Sequence, residues 1–229
     1  MVMNQADDAP KYVTDMVMPE REGGYVKGHE TREHILRTAL SILIEEGYRA
    51  MSMRRVAAAS GMKFGNLTYH YRSREDLVRE LLEAVIRSYE VEFVEIVHMP
   101  GVPAEERLRR VCNLILDDIR SKKTTNFFPE LWALSNHDTF VLERIQELYV
   151  RAREPLLEII AEMRPDLDEA SRETVALFIS GSMEGMTIFA GHDKPFEPRM
   201  PQIERIAAHS FVLLVKTISE RDIKGLRHS

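Results

Sequence analysis

Residues 52–70 spell SMRRVAAASGMKFGNLTYH, and this stretch decides the fold that we expect for the chain. Ser52 is a good N-cap for a short helix that stops near Gly61, and the chain restarts as a second short helix from Lys63 to His70. Small or apolar residues stand where two crossing helices need them, at Val56, Ala57, Gly61, Met62 and Leu67. The pattern therefore predicts two helices joined by a tight turn, a helix-turn-helix.

The second of these helices is predicted to face outward with side chains that suit a DNA groove. Once the buried face is fixed, the outward positions are Lys63, Phe64, Asn66, Tyr69 and His70. Asparagine can bond a base edge, phenylalanine can contact a thymine methyl group, and the others can reach phosphates. The expected partner is double-stranded DNA.

The charge of the chain is uneven in a way that supports this partner. The whole sequence has a formal net charge of -6, but residues 49–79 hold seven Lys or Arg against two Asp or Glu, net +5. The segments on either side are acidic, at -4 for residues 1–48 and -7 for residues 80–229. A local positive field favours a DNA site at the motif, whereas the acidic remainder argues against a nonspecific architectural protein, which needs a broadly basic surface.

The rest of the chain has the apolar spacing of helices, and no stretch alternates convincingly enough for a strand. We predict an all-α fold of about nine helices, with an N-terminal three-helix DNA-binding domain and a larger helical ligand-binding and dimerisation domain. The predicted divisions are a flexible tail at 1–28, the helix-turn-helix domain at 29–73, and the second domain at 74–229. Outside the motif the expected helices are 30–46, 74–98, 104–121, 125–135, 138–163, 168–190 and 201–220.

Residues 31–82, TREHILRTALSILIEEGYRAMSMRRVAAASGMKFGNLTYHYRSREDLVRELL, resemble the DNA-binding domain of the TetR family of bacterial repressors. The order of elements carries the resemblance: a helix, EEGY, the Ser-capped helix, the Ala-Ser-Gly turn, GNLTYHY and SREDL. The resemblance implies that Arg54, Phe64, Asn66 and Tyr69 approach bases and that Thr68, His70 and Arg74 contact phosphates. The full predicted DNA-binding set is Ser52, Arg54, Lys63, Phe64, Asn66, Thr68, Tyr69, His70 and Arg74.

The resemblance also implies a repressor that binds as a homodimer and is released by a small-molecule effector. Two related helices about 34 Å apart would recognise a palindromic operator. The last helices are apolar on more than one face, so the dimer interface is predicted at Ser180, Gly181, Gly185, Phe211 and Leu214, although small residues could equally mark a helix crossing within one chain. A partly apolar ligand is predicted at Phe128, Trp132, Tyr149, Met163, Phe178, Met183 and Met186, which could equally be ordinary core.

Other classes of protein find little support in the sequence. A di-iron enzyme would need paired Glu-x-x-His motifs, and only Glu95 to His98 has that spacing. Cys112 is the single cysteine and its flanks suggest burial, and no hydrolase signature accompanies it. We therefore predict no catalytic residues, no metal and no cofactor. With neither a secretion signal nor an apolar membrane-spanning run, the expected location is the cytoplasm, with no membrane partner.

Overall fold

In the computed structural model, residues 16–19 and 26–225 are described, with the side chains of 26 and 27 left aside. These residues form helices and no strand, so the predicted all-α class is confirmed. The helices, in chain order, are α1 (Val26–Glu46), α2 (Met53–Ala59), α3 (Phe64–His70), α4 (Arg74–Val97), α5 (Ala104–Ile119), α6 (Lys122–Ser135), α7 (Thr139–Met163), α8 (Glu169–Glu184), α9 (Met186–Ala190), α10 (Met200–Thr217) and α11 (Glu220–Lys224). A short 3-10 turn at Glu197–Arg199 precedes α10.

The described residues form two helices more than the nine or so that the sequence predicts, namely α9 and α11. The stretch predicted as one helix at 168–190 is α8 followed by α9, because the run stops at Gly185, a residue with low helix propensity that follows Gly181 by one turn. Helix α10 ends at Thr217, with Ile218 as its C-cap, and a new helix, α11, begins at Glu220. Ser219 and Asp222 cap the start of α11 reciprocally, and Gly225 ends it with a positive φ of 62°.

The described chain forms two compact units. The first, which we call the N-terminal unit, comprises residues 16–19, 26–91 and 126–152. The second, the C-terminal unit, comprises residues 92–125 and 153–225. These units describe packing and not which segment performs which function, so the predicted functional boundaries at 28/29 and 73/74 remain predictions.

In the N-terminal unit, α1, α2 and α3 pack together as a small three-helix core. One face of α1 supplies Ile35, Leu36 and Leu43, which are fully buried, as the spacing of three and four residues predicts. Two features depart from the predicted tail at 1–28: α1 already begins at Val26, and Met16 is buried while the Val17 N–H donates to the Ala84 carbonyl at 2.8 Å. The remaining tail positions, 1–15 and 20–25, lie outside the described residues.

In the C-terminal unit, α5 packs mainly against α10 and also meets α8 and α9. Cys112 lies fully buried on α5, and burial raises the pKa of its thiol to about 12. Arg107, also on α5, fixes the end of α4 by donating to the Val97 carbonyl at 2.6 Å while pairing with Glu162 at 2.5 Å. The Val97 carbonyl belongs to the last turn of α4 and lacks a partner within the helix, so this arginine satisfies it. Among the described residues, no helix combines the length and apolar content that a bilayer crossing requires.

Candidate nucleic-acid interface

The first short helix of the motif forms as the sequence predicts. The Ser52 side chain accepts a hydrogen bond from the Arg55 N–H at 3.2 Å, which caps α2, while Val56 and Ala57 are buried. Gly61 adopts a φ of 68°, a conformation that other residues rarely take, and so allows the chain to reverse before α3. The scaffold of the helix-turn-helix is thus fixed by one cap, two small-to-medium core residues and one glycine.

The second helix, α3, turns one residue inward and the others outward. Leu67 is fully buried, as predicted, whereas Met62, just before the helix, is only half-buried. Tyr69 is 85% exposed and Phe64 is 47% exposed, which is unusual for aromatic side chains in an isolated chain. Lys63 and Asn66 are exposed as well. The outward face predicted for α3 is therefore the face that the structure presents.

The two neighbouring arginines of α2 have opposite surroundings. Arg54 is exposed and its guanidinium carbon lies 6.0 Å from the centre of the Phe64 ring, which places it beside α3. Arg55 instead donates to the Glu46 carboxylate of α1, with its closest contact at 2.5 Å. Of the two, Arg54 is the one whose guanidinium makes no ion pair with Glu46, and its contact with DNA stays a prediction.

The three predicted phosphate contacts are engaged to different degrees. The Thr68 hydroxyl donates to the Gly65 carbonyl at 3.0 Å within α3, and its oxygen retains acceptor capacity. Burial, and then the charge of Arg32, lower the pKa of His70, so its ring is neutral at physiological pH. A neutral imidazole can still donate one hydrogen bond to a phosphate, but it does not supply a charge.

Arg74, the third of these residues, is held within the protein. Its guanidinium donates to the Tyr48 carbonyl at 2.5 Å and lies 3.8 Å from the centre of the Tyr48 ring. Arg74 opens α4, so this contact ties the start of α4 to the turn that follows α1. Its predicted phosphate contact remains a prediction, and the structure adds a second role for it within the protein.

Arg72 is one of the basic residues of segment 49–79 that the predicted set omits. Arg72 is exposed and shares with Tyr69 and His70 a cleft of about 550 Å³ beside α3, the predicted recognition helix. The sequence could have indicated Arg72 as a candidate, because it belongs to the basic segment 49–79. It was overlooked because it stands in the short connection between α3 and α4, where neither helical periodicity nor the family motif draws attention to a side chain.

The predicted ligand residues fall into two groups. Phe128, Trp132 and Tyr149 lie together in the N-terminal unit: the Phe128 ring centre is 6.3 Å from that of Trp132 and 6.4 Å from that of Tyr149, and the Trp132 indole donates to the Tyr149 hydroxyl at 2.8 Å. Tyr89 extends this aromatic cluster, at 6.2 Å from Phe128. The other four predicted residues, Met163, Phe178, Met183 and Met186, belong to the C-terminal unit.

Those four have dissimilar surroundings. Met183 is buried in the core, whereas Phe178 is 60% exposed on α8. Met163 lines an open cleft of about 710 Å³ whose other side chains are largely charged, among them Arg109 and Lys216. Met186 is half-buried on α9. The aromatic cluster is the part of the prediction in which the ring distances bring side chains together.

The helices α8, α9 and α10 expose large apolar side chains of the C-terminal unit. We call the following set the α8–α10 apolar face: Leu177, Phe178, Ile188, Phe189, Ile206 and Leu213, each at least 52% exposed. Of the residues predicted for a dimer interface, Gly181 is exposed, Ser180, Gly185 and Leu214 are half-buried, and Phe211 is 8% exposed. Phe211 thus belongs to the core of this chain, and the apolar exposure on α10 lies at Ile206 and Leu213.

Within the part of the chain that the structure describes, one group of side chains has the atoms to hold a metal ion. Candidate ligand atoms of His192, Asp193 and Glu197 lie within 4.8 Å of one another in the connection after α9. One Glu197 oxygen already accepts the Asp193 N–H at 2.7 Å. Exposed groups of this kind are common without an ion, and the spacing noted at Glu95 to His98 is not part of the group.

Comparisons with known proteins agree with this geometry. Residues 35–81 match the family described as bacterial regulatory proteins, tetR family, and residues 104–211 match the C-terminal part of the BetI-type transcriptional repressor. The first match contains the whole helix-turn-helix. The chain belongs to the TetR family. It is therefore a DNA-binding transcriptional regulator and not an enzyme.

Individual relatives of this TetR-family protein are distant. The HTH-type transcriptional regulator AcrR of Shigella flexneri is 28% identical over 108 residues, which are 46% of this chain and 49% of that protein, so the match spans about half the length of the relative. A TetR-family structure from Mesorhizobium loti has a TM-score of 0.67 at 13% identity and covers 83% of this chain and 98% of its own. A transcriptional regulator from Saccharomonospora viridis, solved with choline, has a TM-score of 0.63 at 18% identity and covers 82% and 96%. At these identities the structures establish the fold alone.

Proposed function

We propose that this protein is a repressor that binds a palindromic operator as a homodimer. The observation that carries the proposal is the outward face of α3, with Tyr69 at 85% and Phe64 at 47% exposure inside the one basic segment of an acidic chain. Exposed aromatic and amide side chains on a helix of a helix-turn-helix suit contacts with base edges, and the basic residues around them suit phosphates. In this scheme the protein works in the cytoplasm, where the DNA is.

The homodimer is supported by the α8–α10 apolar face. Six large apolar side chains on these helices are each at least half exposed, and side chains of this kind are typical of a surface that a partner covers. A second copy that packs the same helices against them would cover this surface with twofold symmetry. A dimer also supplies the two recognition helices that a palindrome requires.

Release by a small, partly apolar ligand is the third part of the proposal. The aromatic cluster around Phe128 offers ring faces, and ring faces attract both apolar groups and organic cations. Helix α4 follows α3 in the sequence and runs without interruption from Arg74 to Val97. A displacement of α4 would therefore change the position of α3, and with it the separation of the two α3 helices in the proposed dimer. A coupling of about 1–3 kcal/mol would change operator affinity roughly five- to 150-fold.

Selection of bound fragments from a random DNA library tests the operator. We expect the protein to enrich one palindrome, and we expect Tyr69→Ala to lose it while keeping the thermal midpoint of the parent, since the Tyr69 side chain packs little within the chain. Enrichment of no common sequence, or of an unpaired half-site alone, would contradict a dimeric sequence-specific repressor.

Fluorescence tests the ligand site, because Trp132 is the only tryptophan of the chain and lies in the aromatic cluster. Choline is a reasonable first probe, since one structural relative was solved with it and quaternary ammonium groups bind aromatic faces. We expect a saturable change in Trp132 emission together with release of the selected DNA. A change in emission without any effect on DNA binding would show that choline binds the aromatic cluster but that this binding does not regulate DNA binding.

A further inference from the structure

Helix α6 supplies hydrogen-bond partners to the end of α1. The last carbonyls of a helix have no partner within it. At the end of α1 one of them, the Ile44 carbonyl, accepts a hydrogen bond from the Asn126 side-chain amide of α6 at 3.0 Å. Residues 44 and 126 are 82 positions apart in the sequence, so this contact is made by the tertiary fold and not by local structure.

One helical turn further along α6, Glu130 makes a second contact with the same corner. Its carboxylate accepts the Tyr48 N–H at 3.1 Å. The approach is close because Gly47 has no side chain: a Cβ at residue 47 would lie 3.3 Å from a Glu130 carboxylate oxygen. Gly47 also adopts a φ of 83°, which disfavours any other residue there. Asn126 and Glu130 are four residues apart and therefore share one face of α6.

The backbone of Tyr48 is held from two directions. Glu130 accepts its N–H, and the Arg74 guanidinium donates to its carbonyl at 2.5 Å while stacking over its ring. Tyr48 belongs to the turn that leads from α1 into α2, so whatever moves this residue moves the start of the helix-turn-helix. Hydrogen bonds with one charged partner are about twice as strong as neutral ones, which makes these two contacts effective anchors.

The opposite side of α6 carries the aromatic cluster. Phe127, Phe128 and Leu131 are buried, and Trp132 contacts Tyr149. The same short helix therefore contacts the α1–α2 corner through two polar residues and contributes to the proposed ligand site through its aromatic ones. Because a helix moves largely as a rigid element, a shift at one face is transmitted to the other.

We propose that Asn126 and Glu130 are positioning residues through which α6 sets the orientation of the helix-turn-helix. This inference rests on the proposed function, because it concerns how the operator-binding helices are placed. It assigns to Glu130, an acidic residue, a favourable effect on binding to an acidic polymer. Simple electrostatics predicts the opposite sign, since removing a negative charge from a DNA-binding protein strengthens its attraction to phosphates.

Three variants test this inference with the DNA fragment that the unmodified protein selects from a random library. For Glu130→Ala we expect operator affinity to fall by about tenfold, and amide hydrogen exchange in residues 44–52 to accelerate by a similar factor, because the Tyr48 N–H loses its acceptor. Glu130→Gln keeps an acceptor oxygen and should retain most of the affinity. Glu143→Ala removes an exposed carboxylate from α7 of the same unit and should change neither quantity.

The outcomes separate this inference from the function on which it rests. Unchanged or tighter operator binding by Glu130→Ala, or equal losses in Glu130→Ala and Glu130→Gln, would overturn the positioning role. Failure of the unmodified protein to select any palindrome would instead overturn the proposed function. Hydrogen exchange is measured without DNA, so unchanged exchange in Glu130→Ala would refute the α6 contact independently.

Discussion

At the scale of single residues, Arg54 and Arg55 show how neighbours in sequence come to have different roles. Both are arginines on the same two-turn helix, and the 100° step between them turns one side chain toward α3 and the other back to α1. Arg55 is committed to Glu46, whereas Arg54 is exposed beside Phe64. The partner of each guanidinium, and not its identity, decides whether it can meet DNA.

Arg54→Ala is expected to weaken operator binding and to reduce the steepness of its salt dependence by about one unit, because one cation near the phosphates is lost. Affinity measured at two or more salt concentrations gives both quantities. Arg55→Ala is the matched control: it removes the same charge from the same helix and is expected to change affinity much less. Equal effects of the two substitutions would show that the basic segment acts only through its total charge.

At this scale the sequence was informative wherever the residue type has one local use. Ser52 as a cap, Gly61 at the turn and Leu67 in the core were predictable, since each follows from backbone geometry or from helical spacing. The internal engagement of Arg74 was not predictable. Its partner, Tyr48, lies 26 residues away in the sequence, and no local pattern specifies a contact over that separation.

At the scale of helices, Glu204 on α10 illustrates how packing changes a side chain's chemistry. It is largely buried against α5, where Asp117 and Arg120 lie nearby. The pKa of Glu204 is raised to about 7, chiefly by burial and then by the negative charge of Asp117, while the charge of Arg120 opposes the rise. The α5–α10 contact, the most extensive in the C-terminal unit, thus contains a carboxyl group that stays protonated to a higher pH than an ordinary glutamic acid does.

This preference makes the stability of the protein depend on pH. The folded state binds the Glu204 proton more tightly than the unfolded state, whose ordinary pKa is 4.5. The stabilisation is therefore complete below pH 4.5 and is lost as pH rises through 7. Thermal unfolding should show Glu204→Gln to be more stable than the parent protein at pH 8 and similar at pH 5.

A control and a contrary result define that test. Glu173→Gln neutralises an exposed carboxylate on α8 and is expected to leave the pH profile of the unfolding midpoint unchanged. If the parent protein and Glu204→Gln lost stability in parallel between pH 5 and pH 8, Glu204 would not be the source of the pH dependence of stability.

The helix boundaries were largely predictable, and the exceptions have identifiable causes. Continuous apolar periodicity joined α8 to α9, because periodicity carries no information on where two glycines weaken a helix. The Ser219 to Asp222 capping pair and the following Gly225 indicate the start and end of α11 in the sequence. The helix has only five residues, however, and none of them is buried. Methods that look for an apolar stripe miss such a helix.

At the scale of the whole molecule, a substitution in the α8–α10 apolar face tests the proposed homodimer. Ile206→Glu places a charge at a side chain that is 66% exposed in the isolated chain and that we expect a second copy to cover. Burial of an unpaired charge is costly, so light scattering at micromolar concentration should show a monomer, with operator affinity reduced by at least about 100-fold and helical content retained.

Val150→Glu is the matched control for this substitution. Val150 is 56% exposed on α7 of the N-terminal unit and is not part of the α8–α10 apolar face. It should leave both the dimer and the operator affinity intact. A dimer that survives Ile206→Glu but dissociates in Val150→Glu would place the interface on the wrong helices.

The residues predicted for a dimer interface and the apolar residues that the final helices expose are not the same set. Phe211 was expected at an interface and is instead in the core, while Ile206 and Leu213 were not identified. A helix that is apolar on more than one face offers no periodicity to tell the inner face from the outer one. That choice depends on where α5 packs against α10, which is a property of the assembled unit.

The burial of Cys112 has a practical consequence for spectroscopy. It is the only cysteine in the chain, and a thiol with a pKa of about 12 in the core is almost entirely protonated and inaccessible at neutral pH. A cysteine introduced at the exposed position Asn66 would therefore be the one site that a maleimide dye or a spin label modifies. In the proposed homodimer, the two labels would then report the separation of the two α3 helices in solution, with and without the proposed effector, and without labelling of a native cysteine.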